Sequence, residues 1–169
     1  MGLLEEKLVE RLLDTSPKYK RDTMEQTIRD LLGASRLEQV TGLPARRGGA
    51  DGGIDGILDV IHIIQGVPYQ KKAALNVKVR NSDFSREQLG GFLLDMDREG
   101  IFVGIIITAK FLTPDALIEL VRKNIEGYVY LIHIRLTDVL AGKIIAPDIL
   151  IDGRSLNAVL LERIKIMLV

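Results

Sequence analysis

The sequence contains no cysteine among its 169 residues. This absence excludes disulfide scaffolds, cysteine-based zinc sites and catalysis by a thiol. Long apolar runs are lacking too. The longest, Ile101 to Ala109, is far too short to span a bilayer, and the acidic amino terminus has no basic region typical of a signal peptide. We therefore expect a soluble, cytoplasmic protein without a membrane partner.

Net charge of one sign is also lacking, because 23 lysines and arginines balance 23 aspartates and glutamates. A chain with this balance has no overall field that attracts nucleic acid, so any affinity for DNA must come from local basic clusters. Such clusters include five basic residues that we consider for DNA binding: Arg46, Arg47, Lys71, Lys72 and Arg80. Length and composition are ordinary for a single folded domain over residues 1–169.

The apolar pattern predicts an α/β protein with a central mixed sheet flanked by helices. Helices are predicted over Leu3 to Leu13, after the capping residues Thr23, Ser85 and Thr113, and from Ser155 to the end. Strands are predicted over residues 54–64, 73–80, 101–109 and 129–134, and the third is expected to be buried on both faces. His62 and His133 lie within apolar strands, so we expect core or edge residues and not metal ligands.

A group of polar residues lies on the first two of these strands. Asp55 is at the start of the first strand, while Asn76 and Lys78 share one face of the second, with Val77 between them pointing to the core. If the two strands pair, a carboxylate, an amide and an ammonium group converge. Phosphodiester hydrolysis needs such a set, with oxygen ligands for a divalent cation and a lysine that orients water. A solvated strand face is the alternative interpretation.

The run Gly52-Gly53-Ile54-Asp55, followed by Asn76-Val77-Lys78, resembles the second and third motifs of the PD-(D/E)XK nuclease superfamily, and within it those of the Mrr-type restriction endonucleases. Glu25 stands where this group has a glutamate in its first helix, and Ile107-Thr108-Ala109 looks like its threonine-bearing strand end. The resemblance covers residues 23–141. It implies a restriction-endonuclease-like three-layer sandwich, with a helix added at each end of the chain.

The resemblance also implies a metal-dependent endodeoxyribonuclease, a hydrolase that cuts DNA phosphodiester bonds. Asp55 would bind Mg²⁺ or Mn²⁺, and Lys78 would position the attacking water. Glu25, Asn76 and the Val77 carbonyl would complete the catalytic and metal-binding shell. The five clustered basic residues named above would contact DNA phosphates.

Two expectations about partners accompany this interpretation. A homodimer is expected, because one such site cuts one strand and cutting a duplex usually needs two. No nucleotide cofactor is expected, because the glycine-rich stretch has neither the ending of a phosphate-binding loop nor the dinucleotide fingerprint.

Two other interpretations stay open. Asn76 stands where the family has Glu or Gln, and an amide oxygen is a weaker ligand for a hard cation than a carboxylate. A catalytically degenerate module of the same fold, binding DNA or a protein partner, would fit this departure. A nuclease similar to Holliday-junction resolvases or repair nucleases would use the same residues on branched DNA.

Overall fold

The computed structural model describes residues 3–13, 26, 28, 35, 53–143, 146–156 and 158–162. The helices are α1 (Leu3–Leu13), α2 (Arg86–Glu99), α3 (Pro114–Glu126) and α4 (Leu136–Leu140). The strands are β1 (Gly56–Ile64), β2 (Val67–Lys78), β3 (Val103–Thr108), β4 (Tyr130–Arg135), β5 (Ile149–Ile151) and β6 (Arg154–Ser155). The order of helices and strands confirms the predicted α/β class.

The strands form one mixed sheet in the order β4-β3-β2-β1-β5-β6. Strands β2, β3 and β4 are parallel, whereas β1 is antiparallel to both of its neighbours, β2 and β5. Because the parallel strands end together, Lys78, Thr108 and Arg135 are register partners across β2, β3 and β4. We call this end of the three strands the carboxyl edge. Open α/β sheets bind their ligands outside the carboxyl ends of their strands.

Local sequence signals set the ends of α2 and α3, as predicted. Ser85 caps α2 by accepting a hydrogen bond from the Gln88 N–H, and the Gln88 side chain accepts one from the Ser85 N–H. Thr113 caps α3 in the same way through the Ala116 N–H, with proline as the first helical residue. Each helix ends at a glycine with positive φ, which a residue with a side chain rarely adopts.

Apolar layers cover both faces of the sheet. Leu75 and Val77 of β2 belong to a core shared with α1 and α4, on what we call the α1 face. Ala74 of β2 belongs to a second core formed with α2 and α3, on the α2 face. Every residue of β3 is buried, which confirms the prediction of a central strand. The result is a three-layer arrangement with helices on each side of the sheet.

One glycine is required by close packing. A Cβ atom on Gly104 of β3 would lie within 2.8–2.9 Å of Met96 and Phe92 in α2 and of Leu131 in β4. These separations are too short for any real side chain, so α2 can approach the sheet this closely only because position 104 has no side chain.

The structure also differs from the prediction in places. Strand β2 begins at Val67, six residues before the predicted start. Its first residues are mostly exposed, and pairing with β1 extends the strand over them. The short strands β5 and β6 were not predicted. Strand β6 ends at Ser155, where the last helix was expected to begin, and residues 156 and 158–162 are helical as predicted. Apart from Gln26 and Ile28, which are helical, the helix expected after Thr23 lies outside the described residues. Among the helices described here, none has the length and apolar character required to cross a membrane.

Candidate active site

Asp55 is fixed against the end of β2 by two hydrogen bonds. Its N–H donates to the Leu75 carbonyl at 2.8 Å, and its Oδ2 accepts from the Val77 N–H at 2.8 Å. The carboxylate therefore lies beside the backbone of the residue that precedes Lys78. The two strands pair as the sequence analysis required, with Gly56 opposite Leu75. Pairing of β1 with β2 brings Asp55 to the Asn76-Val77-Lys78 segment.

Asn76 holds the glycine-rich turn that carries Asp55. Its Nδ2 donates to the Gly53 carbonyl at 2.7 Å, and the residue is only 5 % exposed. Because the amide nitrogen faces Gly53, the amide oxygen is the atom left to face a cation. The alternative interpretation of a solvated strand face is wrong for Asn76 and for Lys78, since both are buried on the α2 face.

Lys78 ends β2 at the carboxyl edge and is 6 % exposed. Its Nζ lies 5.6 Å from the centre of the Phe84 ring, a distance at which the ring face attracts a cation. Removing an ammonium group from water is costly, so a lysine in this position is held by its surroundings. The side chain is thus placed at one spot at the carboxyl edge, on the same face of β2 as Asn76.

The oxygen donors around Asp55 fit a hard divalent cation. They are the carboxylate of Asp55 itself, the amide oxygen of Asn76 and the carbonyl oxygen of Val77. Mg²⁺ prefers such oxygen ligands. In a strand the N–H and C=O of one residue point to the same side, so the Val77 carbonyl shares the side of its N–H, which binds Asp55. The described residues contain no group of three or more His, Cys, Asp or Glu that could hold a metal. The predicted ligand Glu25 lies outside the described residues.

A further carboxylate that the sequence analysis did not single out lies near the glycine-rich turn. Asp95 of α2 is buried, and its Oδ2 is 3.7 Å from the position that a Cβ on Gly53 would occupy. An Arg98 guanidinium nitrogen lies 3.6 Å from the other carboxylate oxygen. The sequence gives no sign of this burial, because Asp95 belongs to a run of acids that is typical of a solvated helix surface.

Thr108 organises the loop that follows β3. Its Oγ1 donates to the Lys110 carbonyl and lies 2.7 Å from His133 Nε2. A hydroxyl has one hydrogen to donate, so the His133 Nε2–H donates to Oγ1. Burial, and to a smaller extent the charge of Arg135, lowers the pKa of His133 to about 4. The imidazole is therefore neutral at pH 7, and it serves as a hydrogen-bond donor.

Arg135 is another residue that the sequence analysis missed. Its guanidinium carbon lies 3.8 Å from the centre of the Phe111 ring, and its Nη2 donates to the Thr137 hydroxyl at 2.6 Å. Arg135 shares the carboxyl edge with Lys78 and Thr108. The contact with Phe111 joins residues 24 positions apart in the chain, so no local sequence pattern predicts it.

The structure does not bring all of the predicted phosphate contacts to this edge. Lys71 and Lys72 lie in the first half of β2, and at about 3.3 Å per residue Lys72 is about 20 Å from Lys78. Lys72 pairs with Asp59 at 2.8 Å on the surface. Arg80 lies two residues beyond β2, and its Nε is buried without a hydrogen-bond partner among the described residues. Arg46 and Arg47 lie outside the described residues. The phosphate contacts stay predictions.

His62 lies at the opposite end of the sheet, away from the carboxyl edge. It is buried, its Nε2 is 3.2 Å from Asp148 Oδ2, and its ring packs edge-on against Tyr130. The Tyr130 hydroxyl donates to Asp148 Oδ1 at 3.0 Å. Burial, reinforced by Asp148, raises the pKa of Tyr130 to about 12. The prediction of a core histidine is confirmed.

A mixed sheet that brings an acid to the amide and the lysine at the end of one strand is the arrangement that the resemblance to the PD-(D/E)XK superfamily predicts. The restriction endonuclease family model Mrr_cat matches residues 18–138, well over half of the chain. The chain belongs to this restriction endonuclease family, which confirms the resemblance found in the sequence.

Two solved structures share the fold. The DNA modification-dependent restriction endonuclease AspBHI has 16 % sequence identity and a TM-score of 0.54, over 99 % of this chain and 41 % of that one. The MspJI restriction endonuclease in complex with a 27-mer oligonucleotide has 16 % identity and a TM-score of 0.53, over 97 % of this chain and 36 % of that one. The chain thus spans less than half the length of either structure. No curated protein matches it.

Proposed function

We propose that this chain is a metal-dependent endonuclease that hydrolyses DNA phosphodiester bonds. The observation that carries the proposal is the 2.8 Å hydrogen bond between the Asp55 carboxylate and the Val77 N–H. This bond fixes the carboxylate to the backbone of Val77, the residue between Asn76 and Lys78, which are both buried at the end of β2. Membership of a restriction endonuclease family supports the same reaction.

Each residue at the end of β2 has a role in the proposed reaction. Asp55, the Asn76 amide oxygen and the Val77 carbonyl would hold Mg²⁺ or Mn²⁺, and Glu25 is proposed as a further ligand. The ion, when bound, polarises the phosphoryl oxygen and lowers the pKa of water. Lys78 orients the attacking water, and its positive charge offsets the negative charge that develops on the phosphoryl group.

DNA is the proposed substrate, and this proposal gains support from the oligonucleotide bound in the MspJI structure. Arg46, Arg47, Lys71, Lys72 and Arg80 are the proposed phosphate contacts. We further propose a single domain that acts as a homodimer in the cytoplasm, since cutting both strands requires two sites. Sedimentation velocity with and without duplex DNA tests the dimer, and a monomer under both conditions would contradict it.

The test of the proposed reaction is cleavage of a supercoiled plasmid with Mg²⁺ or Mn²⁺. We expect Asp55→Ala and Lys78→Ala to reduce the cleavage rate by at least about 100-fold, as loss of a charge-stabilising group does in other enzymes. Asp97→Ala is the matched control, because Asp97 is an exposed acid on α2. Cleavage at the wild-type rate in both site variants would overturn the proposal.

One observation favours a second candidate, a module of the same fold that binds without cutting. Asn76 provides no negative charge, and its amide nitrogen is committed to Gly53. A degenerate site of this kind should bind no divalent ion, because Mg²⁺ and Mn²⁺ sites depend on anionic oxygen ligands. Titration calorimetry with Mn²⁺ distinguishes the two candidates. Saturable binding supports the nuclease, and its absence supports the module.

A further inference from the structure

We propose that Arg135, stacked on Phe111, binds a backbone phosphate of DNA beside the candidate active site. The proposal rests on DNA being the substrate and names a contact that lies outside the basic clusters of the sequence. Arg135 is the last residue of β4 and is a register partner of Thr108, which is in turn a partner of Lys78. Neighbouring strands lie about 4.8 Å apart, so the backbone at Arg135 is about 10 Å from the backbone at Lys78. One DNA strand extends far enough to contact both residues.

The Phe111 ring holds the guanidinium group in one plane. The guanidinium carbon lies 3.8 Å from the ring centre, which is a stacking distance for an arginine on an aromatic face. The Nη2 atom is fixed by its 2.6 Å hydrogen bond to the Thr137 hydroxyl. The ring and the hydroxyl are both neutral groups that hold the side chain in place. An arginine fixed in this way loses little side-chain freedom when it binds a phosphate.

The loop that carries Phe111 is itself fixed. The Phe84 N–H donates to the Phe111 carbonyl at 2.9 Å, and the Thr113 N–H donates to the Phe84 carbonyl at 2.9 Å. One turn earlier, the Thr108 hydroxyl donates to the Lys110 carbonyl. Phe111 is nevertheless 56 % exposed, so the stacked pair lies at the surface where a polymer can reach it. The loop therefore presents a rigid ring and a planar cation together.

The charge around the pair favours an anion. Lys78 and Lys110 provide two more cations along the carboxyl edge, and His133 behind it is neutral at pH 7. The nearby acid Asp138 has its own partner, since the Lys143 ammonium lies 3.2 Å from its carboxylate. Charge-assisted N–H bonds from a guanidinium to phosphate oxygens are stronger than neutral ones, so a DNA phosphate is a ligand that this site fits.

The test measures binding to a fluorescein-labelled 30-base-pair duplex by fluorescence anisotropy in EDTA, so that cleavage does not enter. We expect Arg135→Gln to weaken binding about tenfold, the size expected for one charge-assisted contact. The slope of log K against log salt should fall by about 1, the value for one lost phosphate contact. Arg122→Gln is the matched control: this arginine lies on α3 and pairs with Glu126 at 3.4 Å. Its affinity and slope should equal those of the wild type.

A second pair of variants tests the role of Phe111 as a positioning residue. Phe111→Leu keeps apolar bulk but removes the aromatic face, and we expect a smaller loss of affinity of about threefold. The double variant Phe111→Leu with Arg135→Gln should bind no more weakly than Arg135→Gln alone, because the ring acts through the arginine. Arg135→Lys should retain the salt slope, since it retains the charge.

Three outcomes overturn the inference: an Arg135→Gln variant with wild-type affinity and slope, additive losses in the double variant, or no DNA binding by the wild type. Thermal melting of each variant checks that it is folded. Asp55→Ala should bind the duplex as the wild type does while failing to cut it. An error about Arg135 would therefore leave the cleavage results intact, and an error about the reaction would leave the Arg135 binding results intact.

Discussion

The two halves of strand β2 differ in how they hold their lysines. In the first half, Lys72 is exposed and pairs with Asp59 on the surface of the β1–β2 hairpin. In the second half, Lys78 is buried against Phe84 at the carboxyl edge. The surface ion pair is exposed to solvent, which screens it, so it contributes little to stability. The buried lysine costs stability, and a fold keeps such a residue where function requires it.

The same contrast separates the two ends of the sheet. At the carboxyl edge, buried polar residues surround a carboxylate that is bonded to strand backbone. At the opposite end, Asp148 bonds to both His62 and Tyr130, and these contacts link strands of the fold. A polar cluster whose members bond to one another can stabilise a fold. The charges of Asp55 and Lys78 at the carboxyl edge are suited to an ionic ligand.

The largest effect is expected from Lys78→Met. Methionine fills a similar volume without a charge, so the group that would orient the attacking water is lost while the side chain still fills its space. Plasmid cleavage should fall by at least about 100-fold, and thermal melting checks that the variant is folded. The control is Lys123→Met on α3, where the lysine pairs with Glu126 at 3.4 Å. A Lys78→Met variant that cuts DNA at the wild-type rate would mean that the buried Lys78 has no more part in cleavage than the surface Lys72.

The second-largest effect is expected on the free energy of unfolding at low pH, and it depends on His133. The pKa of this residue is lowered from 6.5 to about 4 in the folded chain. Between these values the unfolded chain binds a proton that the folded chain does not, so stability falls as the pH falls from 6.5 to 4. The loss attributable to His133 is about 3 kcal/mol. Urea unfolding at pH 7 and pH 4 should show a smaller drop for His133→Gln, and an equal drop would contradict the account.

A smaller effect is expected from Asn76→Asp, which restores an acid near the candidate metal ligands. The added carboxylate should raise the affinity for Mn²⁺ about tenfold in calorimetry, because hard cations prefer anionic oxygen. The substitution should also cost about 1–3 kcal/mol of stability, because the bond to the Gly53 carbonyl is lost. Unchanged Mn²⁺ affinity in a folded variant would mean that position 76 does not face the ion.

The smallest effect is expected from Asp59→Ala, which breaks the surface pair with Lys72. The free energy of unfolding in urea should change by less than about 1 kcal/mol, since both side chains are solvated. Raising the salt concentration should reduce even this difference. A loss of several kcal/mol would show that the hairpin half of β2 is not the ordinary surface that the comparison requires.

Elements with local signals could be predicted from the sequence. The caps at Ser85 and Thr113 act within three residues, and the all-apolar β3 needs no knowledge of its neighbours. Strands β5 and β6 could not be predicted, because they are only three and two residues long and β5 depends on pairing with β1, which is distant in the sequence. The exposed start of β2 was missed for a related reason, since pairing with β1 extends the strand over residues that are mostly exposed.

The candidate site was predictable only in part. Alternation along β2 put Asn76 and Lys78 on one face, and pairing with β1 brought Asp55 to them. Burial of these polar residues could not be predicted, because it depends on α2 and on the segment around Phe84, which pack from elsewhere in the chain. Contacts such as that of Arg135 with Phe111 join separate elements. Neither the helix period nor the strand period of the sequence predicts them.

The most direct measurement is the anomalous scattering of Mn²⁺ soaked into crystals of this chain. A single strong peak is predicted at about 2.1–2.2 Å from an Asp55 carboxylate oxygen and the Val77 carbonyl oxygen, close to the ligand distances of a small hard cation. The peak should vanish in Asp55→Ala crystals treated in the same way. A peak elsewhere, or a peak that survives the substitution, would contradict the assignment of the metal and the chemistry to the end of β2.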